Sequence, residues 1–372
     1  MAAMKRWLAN LGALSVGVGA SLLLAEAALR LVGVHYPAFY TVDAERGFAL
    51  RPGAEGRWTR EGQGQVRVNS AGFRGAERAL QPPPGSLRIA VLGDSFTEGL
   101  QVDEQATFVR QLQAGLTAAP ACRLRSPGTR SVDVLNFGVG AYGTGQELLT
   151  WRHLARRYRP DLVVLSVYPG NDFTDNEPRP RDDRPVFRLA ADGSLQLDQR
   201  FRSTAAYRWR TSLPGQLLDG LINHSRLLQL LNEGKNRLAS RPSAAVAPSA
   251  PQATVASDQA WQLTDRLIGT LAQEVQASGA RLVVISTSSP DQVWPDRRQR
   301  PAQPFAQEQR LARLLAARGI PYLPLGPELQ RRADAEGLLL HGFPGQAPGE
   351  GHWNATGHRL AAELITPWLC QQ

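Results

Sequence analysis

The chain has 372 residues, 42% of them apolar and 20% charged, which fits a globular protein with a large core and excludes a disordered or collagen-like one. The formal charge is +9 and is carried almost wholly by arginine, but the arginines are scattered and no finger, RNA-recognition or helix-turn-helix pattern accompanies them. No nucleic-acid partner is therefore expected, and the basic surface offers at most some attraction for anionic glycan or lipid head groups.

The N-terminus sets the compartment. Lys5 and Arg6 precede an uncharged stretch from Trp7 to Ala25, closed by Glu26 and Arg30. Nineteen helical residues just cross a hydrocarbon core, with the leading positive charges kept cytoplasmic. Ala25-Glu26-Ala27 loosely imitates a cleavage site, so a cleaved signal peptide is the rival. We favour an uncleaved single-pass anchor (residues 1–34) in an inner membrane, with the rest of the chain periplasmic or otherwise extracytoplasmic. The cysteines Cys122 and Cys370 match no zinc spacing; they either bridge in an oxidising compartment or are unrelated thiols.

Residues 35–85 read as an irregular lead-in, with a short strand and turn within Val66–Arg74 and a stiff Gln81-Pro82-Pro83-Pro84-Gly85 connector. Regular structure begins with an apolar strand over Leu87–Leu92, which stops abruptly at Gly93-Asp94-Ser95. A helix over Thr107–Leu116, a strand over Val132–Phe137, a glycine-rich loop Gly138–Gly143 and a helix over Thr144–Tyr158 follow. The continuous apolar run Leu162–Val167 is a third strand, ending in Tyr168-Pro169-Gly170-Asn171-Asp172. From 173 to 258 the alternation breaks. This insertion holds a charged, proline-rich stretch at 178–185, a helix over Leu217–Leu231 and an Ala/Pro/Ser tract at 240–257 that reads as a flexible linker. Helix and strand then alternate again, with helices over Trp261–Ala277, Phe305–Ala317 and Thr356–Leu369 and strands over Arg281–Thr287 and Ile320–Leu325. About five strands alternating with helices, none with clean in-out polarity, predict an α/β fold with a parallel sheet covered on both faces.

A serine nucleophile needs a base for its proton and donors for the developing oxyanion. This topology gathers strand ends, and the strand ends carry such groups: Ser95 after the first, Gly138–Gly143 after the second, Asn171 after the third. A histidine, His352, stands in Gly349-Glu350-Gly351-His352-Trp353 just before the last helix. His358 reads as capping or packing, and His341 as a structural loop residue, with reach to the site as the alternative.

Gly93-Asp94-Ser95, the Asn136/Gly140 loop, Gly170-Asn171-Asp172 and His352 together resemble the four blocks of the SGNH (GDSL-type) hydrolase superfamily, in a membrane-anchored bacterial-type member. The resemblance spans roughly Leu87 to Leu369, with Phe173–Asp258 as an unmatched insertion, and it sets a hydrolase domain at 86–372. It implies a flavodoxin-like three-layer α/β/α sandwich and esterase, acylhydrolase or acyltransfer chemistry without metal or organic cofactor. It further implies Ser95 as nucleophile and first oxyanion donor, Gly140 or Ala141 as backbone donor, Asn171 as side-chain donor and His352 as base, while Asp94 orders the loop. Three positions depart from the pattern. The usual block-two glycine falls at Ala141, one place after Gly140; Pro169 stands where block three has its glycine; and Gly349 occupies the place of the aspartate that orients the histidine. Glu350 is the nearest carboxylate and our candidate for that role, and Glu350-Gly351-His352-Trp353 resembles the Asp-any-His-Trp of relatives active in polysaccharide O-acetylation.

The expected function is an exported serine esterase acting on small O-acyl groups of a glycan or other envelope ester. Its alternatives are an O-acyltransferase to a polysaccharide hydroxyl and a non-catalytic glycan-binding or scaffold protein. Expected partners are an acylated carbohydrate or other small ester, and the membrane through the N-terminal helix.

Overall fold

The computed structural model describes residues 2–119, 121–125, 128–177, 181, 183–239 and 256–372. They fall into two compact units, one from the described residues of Met1–Ala38 and Arg208–Ala245, the other from those of Phe39–Tyr207 and Val246–Gln372.

Helix α1 (Ala2–Leu31) opens the smaller unit; its segment Met4–Leu31 is long and apolar enough to cross a membrane. The larger unit starts with two antiparallel hairpins, β1 (Tyr40–Asp43) with β2 (Gly47–Leu50) and β3 (Glu55–Arg57) with β4 (Gln65–Arg67). The lead-in thus carries four short strands, and its Phe39, Leu50, Val66 and Val68 share a buried cluster with Leu100, Val139 and Tyr142. Its strands run only three or four residues, too short for a periodic signal.

The central elements follow as β5 (Ser86–Gly93), α2 (Ser95–Glu98), α3 (Phe108–Ala118), β6 (Ser131–Asn136), α4 (Thr144–His153), β7 (Leu162–Val167) and α5 (Asp172–Asp175). A hairpin of β8 (Val186–Leu189) and β9 (Leu195–Asp198) comes next, then helices α6 (Ala205–Thr211), α7 (Leu213–His224) and α8 (Arg226–Ala239). The chain ends with α9 (Asp258–Ala277), β10 (Arg281–Ser286), α10 (Ala306–Ala317), β11 (Tyr322–Pro324), α11 (Gly326–Glu336) and α12 (Ala355–Leu369).

Five strands form one parallel sheet in the order β11-β10-β7-β5-β6. Numbered by appearance in that sheet, this is the flavodoxin-like order 2-1-3-4-5 read from the β6 edge. Successive residues of β5 point to opposite faces: Ala90 and Leu92 pack among residues of α4, α9 and α10, while Ile89 and Val91 pack among residues of α3, α11 and α12. The three-layer sandwich expected from the sequence is therefore present. Strand order reverses around β5, so the residue leaving β5 faces the crevice where open α/β sheets hold ligands. That residue follows Gly93-Asp94 and is Ser95.

Three expectations change. The predicted helix over 144–158 stops at His153 and continues as a 3₁₀ turn, Ala155–Tyr158. The single helix over 217–231 is two, broken where Ser225 turns extended (φ −91°, ψ 121°) and caps α8 with its hydroxyl. The insertion also divides, since β8 and β9 belong to the larger unit while α7 and α8 belong with α1. The Ala/Pro/Ser tract lies, up to residue 255, outside the described residues, as do Pro178, Arg179, Pro180 and Asp182. A disulfide joins Cys122 to Cys370 across 248 residues, tying the end of α12 to the loop after α3.

Candidate active site

Ser95 is the first residue of α2, a helix of one turn whose N-cap, Asp94, accepts the Phe96 N–H at 3.0 Å. Asp94 therefore orders the turn that carries Ser95, the part expected of it. A glycine is required just before it: a Cβ on Gly93 would lie 2.3 Å from Thr97 Oγ1 and 2.9 Å from the Ser166 carbonyl. As the first residue of a helix, Ser95 has a backbone N–H without an intrahelical acceptor.

The Ser95 hydroxyl lies 2.8 Å from Nε2 of His352. The imidazole lies against the aromatic cluster, its ring 5.1 Å from that of Phe96, which in turn stacks on Tyr168 at 4.4 Å. On the other side, Nδ1 of His352 is hydrogen-bonded to Oε2 of Glu61, and the His352 backbone N–H donates to Oε1 of the same carboxylate at 2.7 Å. The carboxylate on His352 is thus Glu61, from the loop between β3 and β4, and not Glu350, which is half-buried among the turns after α11.

The backbone explains both the departure and its replacement. Gly349 sits at φ +91° with a would-be Cβ 2.7 Å from Pro295, so the aspartate of the usual pattern has no room there. Gly351 sits at φ +75°, and a Cβ on it would fall 2.0 Å from Glu61 Oε1. Its missing side chain is the space the Glu61 carboxylate fills. Sequence reasoning missed Glu61; the signals available were the absent aspartate and the tight Glu61-Gly62-Gln63-Gly64 run, whose glycines press on backbone carbonyls of Gln101, Leu100 and Val102.

The charges support each other. Burial opposes the imidazolium of His352, but the Glu61 hydrogen bond and charge, with Asp94 and Glu98 behind, raise its pKa above the ordinary value. Burial likewise works against the Glu61 carboxylate, yet its bond and charge interaction with His352 hold it below the usual range.

Of the expected oxyanion donors, Gly140 lies against Glu98, where a Cβ on it would fall 2.9 Å from Glu98 Oε2, and that carboxyl accepts the Tyr40 hydroxyl at 2.8 Å. Ala141 adopts φ +60°, a conformation that explains why glycine is usual at this position. Its carbonyl is held by the Arg184 guanidinium. The Asn171 amide donates to Asp175 at 2.9 Å, and Asp175 is held in turn by Arg181 at 2.9 Å. Beneath the turn, burial raises the carboxyls of Asp94 to about 6 and Glu98 to about 7.

The lead-in also braces this loop. Buried Arg74 donates to the carbonyls of Glu98 (2.9 Å), Gly99 and Val102 (2.6 Å). His341 is held by Ser288 and the Gly351 carbonyl, and His358 caps α3 by accepting the Phe108 N–H at 3.2 Å. Both are structural. Among the described residues no cluster of His, Cys, Asp and Glu forms a metal site. A serine hydroxyl on an imidazole oriented by a carboxylate is an arrangement able to attack an ester carbonyl.

The model of a family described as GDSL-like lipase/acylhydrolase matches residues 91–360. Glu61, Tyr40 and Arg74 fall before that segment. Among solved structures, the chain resembles the acetyl xylan esterase AlAXEase (11% identity, 76% of this chain and 99% of that one, TM-score 0.42). It also resembles a catalytic mutant of Axe2, an acetylxylan esterase from Geobacillus stearothermophilus (10%, 76% and 94%, 0.40). A third is the lipase/acylhydrolase from Enterococcus faecalis (14%, 77% and 96%, 0.38). No curated protein matches the chain.

Proposed function

Because the chain belongs to the GDSL-like lipase/acylhydrolase family and is an ester-hydrolysing enzyme, we propose that it is an exported serine esterase working through an acyl-Ser95 intermediate. The observation that carries this reading is the continuous Ser95–His352–Glu61 hydrogen-bond chain. His352 Nε2 takes the Ser95 proton as Oγ attacks the acyl carbon, and Glu61 fixes the reactive tautomer and stabilises the imidazolium. The oxyanion is met by the N–H groups of Ser95 and Ala141 and by the second N–H of the Asn171 amide, the first being committed to Asp175. As the tetrahedral species collapses, the ester C–O bond breaks and the departing alkoxide takes the proton from His352. Water, activated by the same imidazole, then releases the acid and restores Ser95.

Export rests on Lys5 and Arg6 ahead of an apolar helix and on the Cys122–Cys370 bridge, a bond kept in oxidising compartments. Small O-acyl groups on an envelope glycan are the substrate class proposed on that location. A sugar hydroxyl replacing water in the second step would give acyl transfer by the same groups. An absent carboxylate would favour a non-catalytic scaffold, and Glu61 removes that ground. Incubation with an acetylated oligosaccharide, with and without an acceptor glycan, tests the proposal. Free acetate in both cases supports an esterase, and acetylated acceptor a transferase. Products no greater than those of Ser95→Ala on any small O-acyl ester would reject both.

A further inference from the structure

Helix α7 turns its leucines outward, and both α7 and α8 turn polar side chains into the unit. On α7 the polar groups point into the unit: the Asn223 side-chain oxygen accepts the Ala38 N–H at 3.0 Å, and its amide donates to the Asp219 carbonyl. Gln229 of α8, only 1% exposed, accepts the Tyr36 N–H at 3.1 Å and donates to the Asn223 carbonyl. The leucines of α7 and Leu231 of α8 point out, while Leu227 and Leu228 of α8 are half-buried. Leu213, Leu217 and Leu221, one helical turn apart, are 70%, 65% and 59% exposed, with Leu218, Leu231 and Trp209 exposed beside them. A helix of a water-soluble unit does the reverse.

A second observation says what lies against this face. The Glu26 carboxylate of α1 accepts the backbone N–H groups of Arg226 (2.9 Å) and Leu227 (3.0 Å) and the Ser225 hydroxyl (2.9 Å), capping α8. Arg30 bonds to Glu26 at 2.8 Å and to the His224 carbonyl at 2.6 Å. The uncharged span Trp7–Ala25 before Glu26 is roughly 28 Å long as a helix, close to the thickness of a hydrocarbon core. Glu26 therefore marks the boundary where α1 would leave the bilayer, and the start of α8 is tied to that level. The exposed charges around the hairpin are cationic, namely Arg30, Arg208, Arg210 and Lys235.

We propose that the α7–α8 hairpin is a membrane-surface element, its leucine face resting at the headgroup–acyl boundary of the bilayer that α1 crosses and its cations meeting anionic headgroups. This rests on reading α1 as an uncleaved anchor, and the hairpin bears on that reading: cleavage after Ala27 would remove the Glu26 cap. The element would add a second membrane contact beside the one α1 makes, as interfacial helices do.

The test uses the full chain reconstituted in phosphatidylethanolamine–phosphatidylglycerol vesicles and carrying one spin label at a time. The positions are Leu217→Cys or Leu221→Cys in α7, Val16→Cys in α1 and Arg359→Cys on the larger unit; the native cysteines are already paired. Hydrolysis of a soluble ester by each labelled protein verifies that it has folded. The expected ratio of oxygen to aqueous nickel-complex collisions at Leu217 and Leu221 approaches that at Val16 and is several-fold above that at Arg359. Lipid exposure at Val16 with aqueous values at both leucines would overturn the hairpin proposal alone. Aqueous values at Val16 as well would overturn it together with the anchor. Leucine labels shielded from both reagents would mean that protein covers the face, a second copy or another chain, and would also overturn it.

Discussion

Replacing Glu61 by glutamine keeps the shape of the loop and removes one acceptor. Both carboxylate oxygens take hydrogen bonds from donors, the Nδ1–H and the backbone N–H of His352. An amide has a single oxygen, so its NH₂ must face one of those donors. If it faces the ring, Nδ1 becomes an acceptor, the proton moves to Nε2, and the base cannot take the Ser95 hydrogen. If it faces the backbone, two donors are opposed in a half-buried place. Loss of the orienting acid by such a change costs a serine triad up to about 10⁴-fold, and a glutamine that partly accommodates the ring about 10²-fold, or roughly 2.7 to 5.4 kcal/mol of barrier. The expected kcat for Glu61→Gln on a soluble ester lies in that interval below wild type, whereas Glu350→Gln stays within about threefold. The pH profile gives an independent sign. The base works unprotonated, so activity falls as pH drops through the His352 pKa, which Glu61 raises. Glutamine removes both the bond and the charge, so the acid limb of kcat/KM must move to lower pH. A Glu61→Gln enzyme within about threefold of wild type with an unmoved acid limb would refute the reasoning, as would an equal loss in Glu350→Gln.

Gly351→Ala places a methyl where Glu61 Oε1 lies and strains a positive φ, so it should mimic the Glu61→Gln loss, about 10²-fold or more, while the protein remains folded by circular dichroism. Glu98 has a folded pKa raised to about 7 by burial, so its contribution to stability is present below the unfolded value near 4.5 and is lost as pH rises through 7. Glu98→Gln should therefore flatten the denaturation midpoint between those values, removing up to about 3 kcal/mol of pH dependence; an unchanged profile would exclude Glu98 as its source. Alkaline phosphatase fused at the C-terminus should be active if the larger unit is exported, and carbonate washing should leave the protein with the membranes; an inactive fusion would reject the topology.

The parallel sheet was legible because its strands are buried on both faces: Ile89–Leu92 and Leu162–Val167 are apolar runs too short for helices and rich in β-branched residues. Ser95 and His352 were legible for a different reason, since each stands where a strand or loop meets a helix at the ligand-binding edge. The acid was not. Its usual address is defined relative to the histidine, and here the carboxylate reaches the ring from 291 residues away, out of a hairpin whose strands have three residues each. Spacing carries no information about such a contact, although Gly349 and Gly351 marked where a side chain was missing. Block two was legible only to within one residue: Gly140 and Ala141 were both candidates, and the left-handed turn falls at Ala141. The break at Ser225 escaped notice because leucines run through both α7 and α8, and periodicity does not register which side of a helix faces lipid or water.

Attack by Ser95 is the central claim, and a fluorophosphonate probe followed by peptide mapping tests it most directly. The account predicts one adduct, on the peptide holding Ser95, absent in Ser95→Ala and formed far more slowly in His352→Ala, with the thermal transition of each variant close to that of the wild type. An adduct that persists in Ser95→Ala, or that maps to another residue, would contradict it.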